Sequence, residues 1–389
     1  MLESRLTSDP LDLEAMASHV AWAFGDERKS SLDWLERAEP GSLRVVGRGG
    51  KVEGGLLEVP MGQWFQGRSV STLGVAGVAI APEARGRGLA LALMSATLHA
   101  ARERGLALST LYPSTYGLYR KVGYELAGSR CRFTLQLRHL SRSSRALPVH
   151  GLGAGDVPAI DALYGEIARA RTGYLDRGNY IWNRVRSPRG GPARGFGVQD
   201  ETGLVGYLYA RSVAPRQMPI ELSLSDFVTN GPLAFRALLG FLADHLTTAE
   251  RVSWQGGIAD ARLLGLPDRV VSATVEDYWM LRLVHVERAL LERGYPMLDA
   301  AIDLQVDDAL LPANTGTYGL RVSGGVAQLA APGQAARARL SVGALASLFS
   351  GFLGPRELTF AGELEADERA LATLGAIFAG PAPACADYF

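Results

Sequence analysis

A strand, a basic glycine-rich turn and a helix follow one another between residues 75 and 104, and this order constrains the fold more than any other feature. The apolar run at residues 75–81 predicts a buried strand, which Pro82 ends. Residues 89–104 are rich in alanine and leucine and predict a helix. The first N–H groups of a helix lack partners within it and lie at the positive end of its dipole. The turn therefore predicts an anion site.

Six residues form this candidate phosphate site: Arg85, Gly86, Arg87, Gly88, Leu89 and Ala90. The glycines let the backbone approach a ligand, the arginines add positive charge, and the last two residues supply the first helical amides. The alternative is an ordinary strand–loop–helix with solvated arginines. The same Arg-x-x-Gly-x-Ala spacing recurs at residues 102–107, but there the glycine closes a helix and predicts a C-cap. Context thus favours an anion site for the first match alone.

The turn resembles the pyrophosphate loop of the GCN5-related N-acetyltransferases, in which acetyl-coenzyme A lies across a splayed parallel sheet. Residues 106–111 predict the adjacent strand, and the block Leu118–Tyr124 resembles the segment that completes the acyl-donor site in many of these enzymes. Two such blocks in the correct order are more specific than either alone. The resemblance implies acetyl-CoA as cosubstrate and no metal.

Composition agrees with an intracellular enzyme of several domains. The 389 residues exceed what one core usually organises, and the formal net charge of zero argues against a dedicated nucleic-acid binder. No apolar run approaches the length of a membrane span, and the N-terminus lacks a signal-peptide pattern, so we expect a cytoplasmic protein without a membrane partner. The two cysteines, Cys131 and Cys385, lack metal-ligand spacing.

Three regions follow from the patterns, with boundaries at 1–140, 141–294 and 295–389. A polar linker is expected at 141–148, and the second region lacks a basic glycine-rich turn between strand and helix. The third region predicts a small α+β unit with a hairpin across residues 323–325 and helices at 342–352 and 365–378.

Over nearly its full length the chain resembles the Eis-type N-acetyltransferases, named for enhanced intracellular survival. The resemblance implies a mixed α/β (α+β) chain: an active acetyltransferase domain, a degenerate copy, and a sterol-carrier-protein-like domain whose C-terminus reaches the active site. It also implies a homo-oligomer, commonly a hexamer.

Acyl transfer needs donors for the oxyanion that develops on the thioester carbonyl. The strand before the turn can supply them, and can hold the pantetheine arm, if it bulges away from its neighbour. The candidates are the backbone groups of Val78, Ala79 and Ile80. Ser114 resembles the position that contacts the donor.

The leaving thiolate must be protonated, and a phenol is a suitable acid for a thiol. The resemblance gives this role to Tyr119; its alternative is a helix tyrosine that only packs on the core. Three nearby tyrosines are rivals: Tyr112, Tyr116 and Tyr124.

A base must remove a proton from the amine, and no His–carboxylate pair stands out in the first region. The resemblance assigns this step to the terminal carboxylate, here that of Phe389. Burial would raise the pKa of this carboxylate and make it a better base for the amine. A frayed terminus is the alternative, although two aromatic rings at the end of the chain favour a docked tail.

The acceptor is implied only by resemblance, as an amine-bearing cationic small molecule. Asp26 and Trp34 match pocket positions of the family, whereas Glu27, Asp33 and Glu36 predict an exposed helix face. Three functions remain open: a small-molecule acetyltransferase, a protein-lysine or peptide-lysine acetyltransferase, and a non-catalytic lipid- or partner-binding protein.

Overall fold

The computed structural model describes residues 2–140, 147–189, 191–213, 220–266, 270–333 and 336–389. The chain divides into two compact units. Unit 1 comprises Met1–Gly128, Trp279–Pro381 and Phe389, and unit 2 comprises Ser129–Tyr278 and Ala382–Tyr388. Most of the expected 141–148 linker lies outside the described residues.

The first segment alternates strands with helices. Its elements are β1 (Leu2–Thr7), α1 (Pro10–Phe24), α2 (Arg28–Glu36), β2 (Leu43–Arg48), β3 (Lys51–Phe65), β4 (Arg68–Ile80), α3 (Leu89–Glu103), β5 (Leu108–Leu111), α4 (Tyr116–Arg120) and β6 (Glu125–Gln136).

The middle segment repeats this kind of alternation. Its elements are β7 (Val149–Gly151), α5 (Val157–Arg169), β8 (Leu175–Asp176), α6 (Asn179–Arg186), β9 (Arg194–Asp200), β10 (Gly203–Val213), β11 (Ile220–Thr229), α7 (Pro232–Ala243), β12 (Ala249–Gly256), β13 (Val271–Leu283) and α8 (Val286–Glu292).

The last segment is a small α+β unit. Its elements are β14 (Ala300–Asp307), β15 (Gly316–Ser323), β16 (Val326–Ala330), β17 (Ala336–Ser341), α9 (Val342–Ser350), α10 (Pro355–Phe360), β18 (Leu364–Ala366) and α11 (Glu368–Ile377).

In unit 1, β1 to β4 form an antiparallel sheet, β5 joins β4 in parallel, and Met280–Leu283 of β13 pairs antiparallel with β5. Helix α3 buries Leu93, Met94 and Leu98 in the core beside this sheet. Because a parallel pair needs a crossover, α3 carries the chain from β4 to β5. The N-terminus of α3 therefore lies just beyond the end of β4.

The C-terminal segment of unit 1 has a second sheet in the order β16–β15–β14–β17–β18. The predicted hairpin across residues 323–325 is confirmed, since Gly324 and Gly325 turn β15 into β16 with positive φ. The helix expected at 365–378 begins later, because residues 364–366 form β18 and the Asp367 side chain caps α11 at the amide of Ala370.

A buried ion pair ties the C-terminal segment to the first sheet within unit 1. Arg282 on β13 donates to both carboxylate oxygens of Asp308, at 2.8 and 2.7 Å, and Asn314 donates to the same carboxylate at 2.9 Å. Bidentate geometry fixes the orientation of both partners. The C-terminal segment is therefore part of the same compact body as the β4–α3 turn.

In unit 2 the strands are ordered β6–β12–β11–β10–β9–β7. Strands β9 and β10 form the predicted hairpin around residues 200–203. Helix α7 follows β11 through Asn230 and Gly231, a connection without a basic residue. No helix in the described ranges is long and apolar enough to cross a membrane.

Candidate active site

Strand β4 bulges and extends past the end of β5. Opposite the β3 residues 55–57, β4 carries one extra residue, and Gly77 within this bulge has a φ of 60°. The parallel register with β5 runs only from Thr72 to Val75, whereas β4 continues to Ile80. The last five residues of β4 thus extend beyond the part that pairs with β5. This is the bulge on which the oxyanion hypothesis for Val78, Ala79 and Ile80 depends.

The turn after β4 is open where a phosphate would have to enter. Gly86 and Gly88 have φ of 74° and 77°, in the left-handed region that favours glycine. A Cβ added at either would meet no atom within 4 Å. Arg85 and Arg87 are exposed, and the Arg85 Nε donates to the carbonyl of Ile80 at 3.4 Å. The turn therefore offers room and positive charge together.

Helix α3 begins without a side-chain cap. Gly88 is its N-cap, and its first turn carries no acidic residue. In contrast, α1, α9 and α11 each begin at a side chain that accepts a bond from a first-turn amide. The amides of Leu89 and Ala90 lie in the first helical turn and have no intrahelical acceptor. An anion such as a diphosphate fits this arrangement.

Tyr119 lies on α4 with its ring in the core and its hydroxyl at the core's edge. It is 4% exposed and belongs to the same packed cluster as Ile80 and Leu89. Burial raises the pKa of Tyr119 to about 12, opposed by a hydrogen bond with the exposed Ser114. The phenol is therefore protonated at neutral pH.

The three rival tyrosines have different surroundings. The Tyr124 hydroxyl is enclosed in the core and shares a 2.6 Å hydrogen bond with Ser109. Tyr116 is exposed, with Arg120 over its ring. Tyr112 is half-buried and packs against Phe389. Among the four, Tyr119 combines a buried ring with a hydroxyl that reaches the loop after β5.

The C-terminal Phe389 is docked and not frayed. It is 8% exposed, its ring centroid lies 5.6 Å from that of Tyr112, and its Cε2 would lie 3.2 Å from a Cβ added at Gly74. Gly74 is one residue before Val75, where the pairing of β4 with β5 ends. The ring of the last residue thus packs near the end of the pairing between β4 and β5.

The two candidate residues for binding the acceptor, Trp34 and Asp26, have different surroundings. Trp34 on α2 is buried, and a Cβ at Gly77 would overlap its ring. Trp34 therefore packs directly on the β4 bulge. Asp26 is exposed just after α1 ends, with its amide bonded to the carbonyl of Ala21. Asp33 forms a surface ion pair with Lys29, as expected for a solvated helix face.

Two arrangements were not anticipated from the sequence. Gly77 inside an apolar strand signals a bulge, but its fit to Trp34 is a contact between distant segments. In unit 2, Arg177 is buried between Asp226 and Asp387. Because its neighbours in the sequence are polar, the pattern at residues 176–179 is that of a surface turn. Within the described ranges, no group of three or more His, Cys, Asp or Glu residues could hold a metal ion.

Comparison with known families covers most of the chain. Residues 6–127 and 173–283 each match an acetyltransferase (GNAT) domain, and residues 286–386 match a sterol carrier protein domain.

Relatives agree with these assignments. An uncharacterized N-acetyltransferase of Streptomyces griseus is 28% identical over 350 residues, 83% of each chain. The N-acetyltransferase Eis of Mycobacterium tuberculosis is 27% identical over 358 residues, 87% of this chain and 86% of its own. A crystal structure of a GCN5-related N-acetyltransferase from Anabaena variabilis is 33% identical, covers 100% of both chains and superposes with a TM-score of 0.94.

The domain matches and the shared architecture define an N-acetyltransferase. The chain belongs to the GCN5-related N-acetyltransferase family, in the Eis-type form that joins tandem acetyltransferase domains to a sterol-carrier-protein-like domain. The predicted fold class is confirmed.

Proposed function

We propose that the chain transfers the acetyl group of acetyl-CoA directly to a primary amine of a cationic small molecule, of the aminoglycoside or polyamine kind. The observation that carries this proposal is the bulged end of β4, which leads into an open basic turn at the uncapped start of α3. A cytoplasmic hexamer is part of the same proposal.

We assign donor binding mainly to main-chain groups, and side chains add to it. The diphosphate takes the amides of the turn and of the first helical residues, while Arg85 and Arg87 add charge. The pantetheine arm follows the unpaired edge of β4, where an extended chain finds backbone donors and acceptors. Ser114 contacts the donor from the loop after β5. These roles define the cofactor-binding part of the site.

The reaction consists of three proton transfers around one acyl transfer. The Phe389 carboxylate takes a proton from the ammonium group, and the free amine attacks the acetyl carbon. Backbone N–H groups among Val78, Ala79 and Ile80 stabilise the oxyanion. The C–S bond then breaks, Tyr119 donates its phenolic proton to the thiolate, and the second proton of the attacking nitrogen passes to the Tyr119 oxygen as the amide forms. Burial that raises the pKa of this phenol also raises that of a thiol formed beside it, so transfer between them remains feasible.

The acceptor class rests on the segment between α1 and α2. Asp26 is an exposed carboxylate for a cationic group, and Trp34 is a flat apolar wall on the β4 bulge. A small molecule that carries several amines can use both features, because its second cation binds while the first reacts.

A panel of acceptors tests this assignment. Thiol release from acetyl-CoA should be fastest with polyamines and aminoglycosides, and lysine-containing peptides should react at least about tenfold more slowly in kcat/KM, the factor that one lost charge contact implies. Faster peptide turnover would replace the small-molecule acceptor with protein lysine. Absence of thiol release with every amine, together with no binding of acetyl-CoA, would favour a non-catalytic binding protein.

Deletion of Phe389 should lower kcat by about a hundredfold and leave the Kd for acetyl-CoA unchanged, because the new terminal carboxylate ends one residue short of its position. Steady-state kinetics and calorimetry measure the two quantities. Phe389→Leu is the matched control, since it replaces the ring with a smaller aliphatic side chain but keeps the terminal carboxylate, and it should retain most of the turnover. Equal losses of kcat and donor affinity in the deletion would indicate a structural role for the residue instead.

A further inference from the structure

A buried ion cluster in unit 2 holds the C-terminal tail. The side chain of Arg177 is 1% exposed, and it donates from Nε and Nη2 to the two oxygens of Asp387, at 3.0 and 2.8 Å. Its Nη1 donates to Asp226 at 2.6 Å. The guanidinium lies over the ring of Tyr164 at 3.6 Å and that of Trp182 at 4.7 Å.

Each charged group in this cluster has a partner of opposite charge. Burial and the neighbouring Asp226 raise the pKa of Asp387, while Arg177 opposes that rise. The two carboxylates hold the pKa of Arg177 above its usual value despite burial, so the guanidinium remains charged. Tyr164 donates to Asp387 at 3.3 Å, and Tyr207 donates to Asp226 at 2.8 Å. All the named groups have hydrogen-bond partners.

Backbone bonds fix the same tail within unit 2. The amide of Ala384 donates to the carbonyl of Thr172 at 2.9 Å, and the amide of Cys385 donates to the carbonyl of Ser129 at 3.3 Å. With Asp387 held by a bidentate pair, the segment 384–387 has three fixed points in four residues. A frayed terminus would have none of these contacts.

Stability alone does not account for such a cluster. A buried ion pair costs desolvation that often equals its attraction, and an apolar substitute of similar volume is frequently as stable. The fork of an arginine on a carboxylate specifies one geometry, because both N–H···O bonds must align. What this cluster provides is therefore a defined position for Asp387.

We propose that Arg177 and Asp387 are positioning residues for acetyl transfer: by fixing Asp387 they present the terminal carboxylate of Phe389 for its role as base. The inference rests on the proposed function. Phe389 is the second residue after Asp387, so at roughly 3.3–3.6 Å per residue the Cα of Phe389 cannot move more than about 7 Å from that of Asp387.

Asp387→Ala is the informative variant. Removal of Arg177 would leave two buried carboxylates without a cation, whereas removal of Asp387 leaves the neutral pair of Arg177 with Asp226. We expect kcat to fall by about tenfold through misplacement of the base, with the KM for acetyl-CoA unchanged. In the protein that lacks only Phe389, the Asp387→Ala substitution should cause no further loss of kcat, because both changes act through one carboxylate.

Asp260→Ala is the matched control in the same unit. Asp260 is also buried and bonds to an arginine, Arg262, at 2.6 to 2.9 Å, but the pair lies outside the tail segment. This variant should lower the unfolding temperature at least as much as Asp387→Ala and should leave kcat unchanged. The comparison of the two variants shows whether kcat falls because the protein is less stable or because Phe389 is misplaced.

Release of the terminal phenylalanine gives a readout independent of catalysis. A carboxypeptidase that prefers aromatic termini should release Phe389 faster, by about tenfold, from Asp387→Ala than from the wild type or Asp260→Ala, since release requires local opening of the tail. Unchanged kcat and unchanged release in Asp387→Ala would overturn the positioning role and leave the proposed function intact. A further loss of kcat on top of the Phe389 deletion would also overturn it. If the deletion itself leaves kcat unchanged, the proposed base is wrong and the positioning role is wrong with it.

Discussion

Replacing Tyr119 with phenylalanine should lower kcat by about a thousandfold, within the range that a general acid contributes. Only the hydroxyl is removed, so the ring still fills its place in the core, and the lost hydrogen bond with Ser114 costs about 1 kcal/mol of unfolding free energy at most. The KM for acetyl-CoA should change little. Rapid thiol-release kinetics and thermal unfolding measure the two effects separately.

Tyr116→Phe is the control for this prediction. Tyr116 lies on the same short helix, but its side chain is exposed and its ring lies under the guanidinium group of Arg120. Loss of the Tyr116 hydroxyl should leave kcat within about twofold of the wild-type value, as is usual for a surface substitution that touches no reacting group. If Tyr119→Phe also retains nearly full turnover, the acid is another group, and Tyr112 beside Phe389 is the next to test.

The raised pKa of Tyr119 sets the expected pH dependence. A phenol with a pKa of about 12 remains protonated from neutral pH to about pH 10, so loss of its proton cannot reduce activity in that range. Any change of kcat/KM below about pH 10 should instead come from the proposed base or from the amine acceptor. A fall in kcat centred near pH 8 to 9, absent in Tyr119→Phe, would contradict this value.

Local signals in the sequence predicted much of the fold. Residues 75–104 specify strand, turn and helix through composition, Pro82 and the two turn glycines, and the hairpin around residues 200–203 follows from its turn residues. The predicted helix at 365–378 was wrong at its start, since the capping residue Asp367 was missed and a short strand precedes it. Such signals reach only a few residues along the chain.

Contacts between distant segments could not be read from the sequence. Trp34 meets Gly77 because α2 packs on the β4 bulge, and no local pattern encodes that approach. Arg177 has the sequence context of an exposed residue, yet two carboxylates far along the chain make its burial tolerable. The resemblance supplied Phe389 as a candidate, and its docking beside Tyr112 and Gly74 depends on tertiary packing.

The donor site contains a position where one side chain should abolish binding. A Cβ at Gly88 meets no atom within 4 Å, so Gly88→Asp strains the backbone only through its φ of 77° and places a negative charge where the diphosphate must lie. Like charges in direct opposition cost several kcal/mol, which corresponds to about a thousandfold in affinity. Gly67→Asp is the matched control: Gly67 has a φ of 80°, also lies in open space, and precedes β4 at its opposite end.

Calorimetric titration of acetyl-CoA into the wild type and these two variants is therefore the most direct measurement of whether the turn after β4 holds the donor. The wild type and Gly67→Asp should bind with the same Kd, and Gly88→Asp should bind about a thousandfold more weakly while it remains folded. Binding of acetyl-CoA to folded Gly88→Asp with the affinity of the wild type would contradict the account.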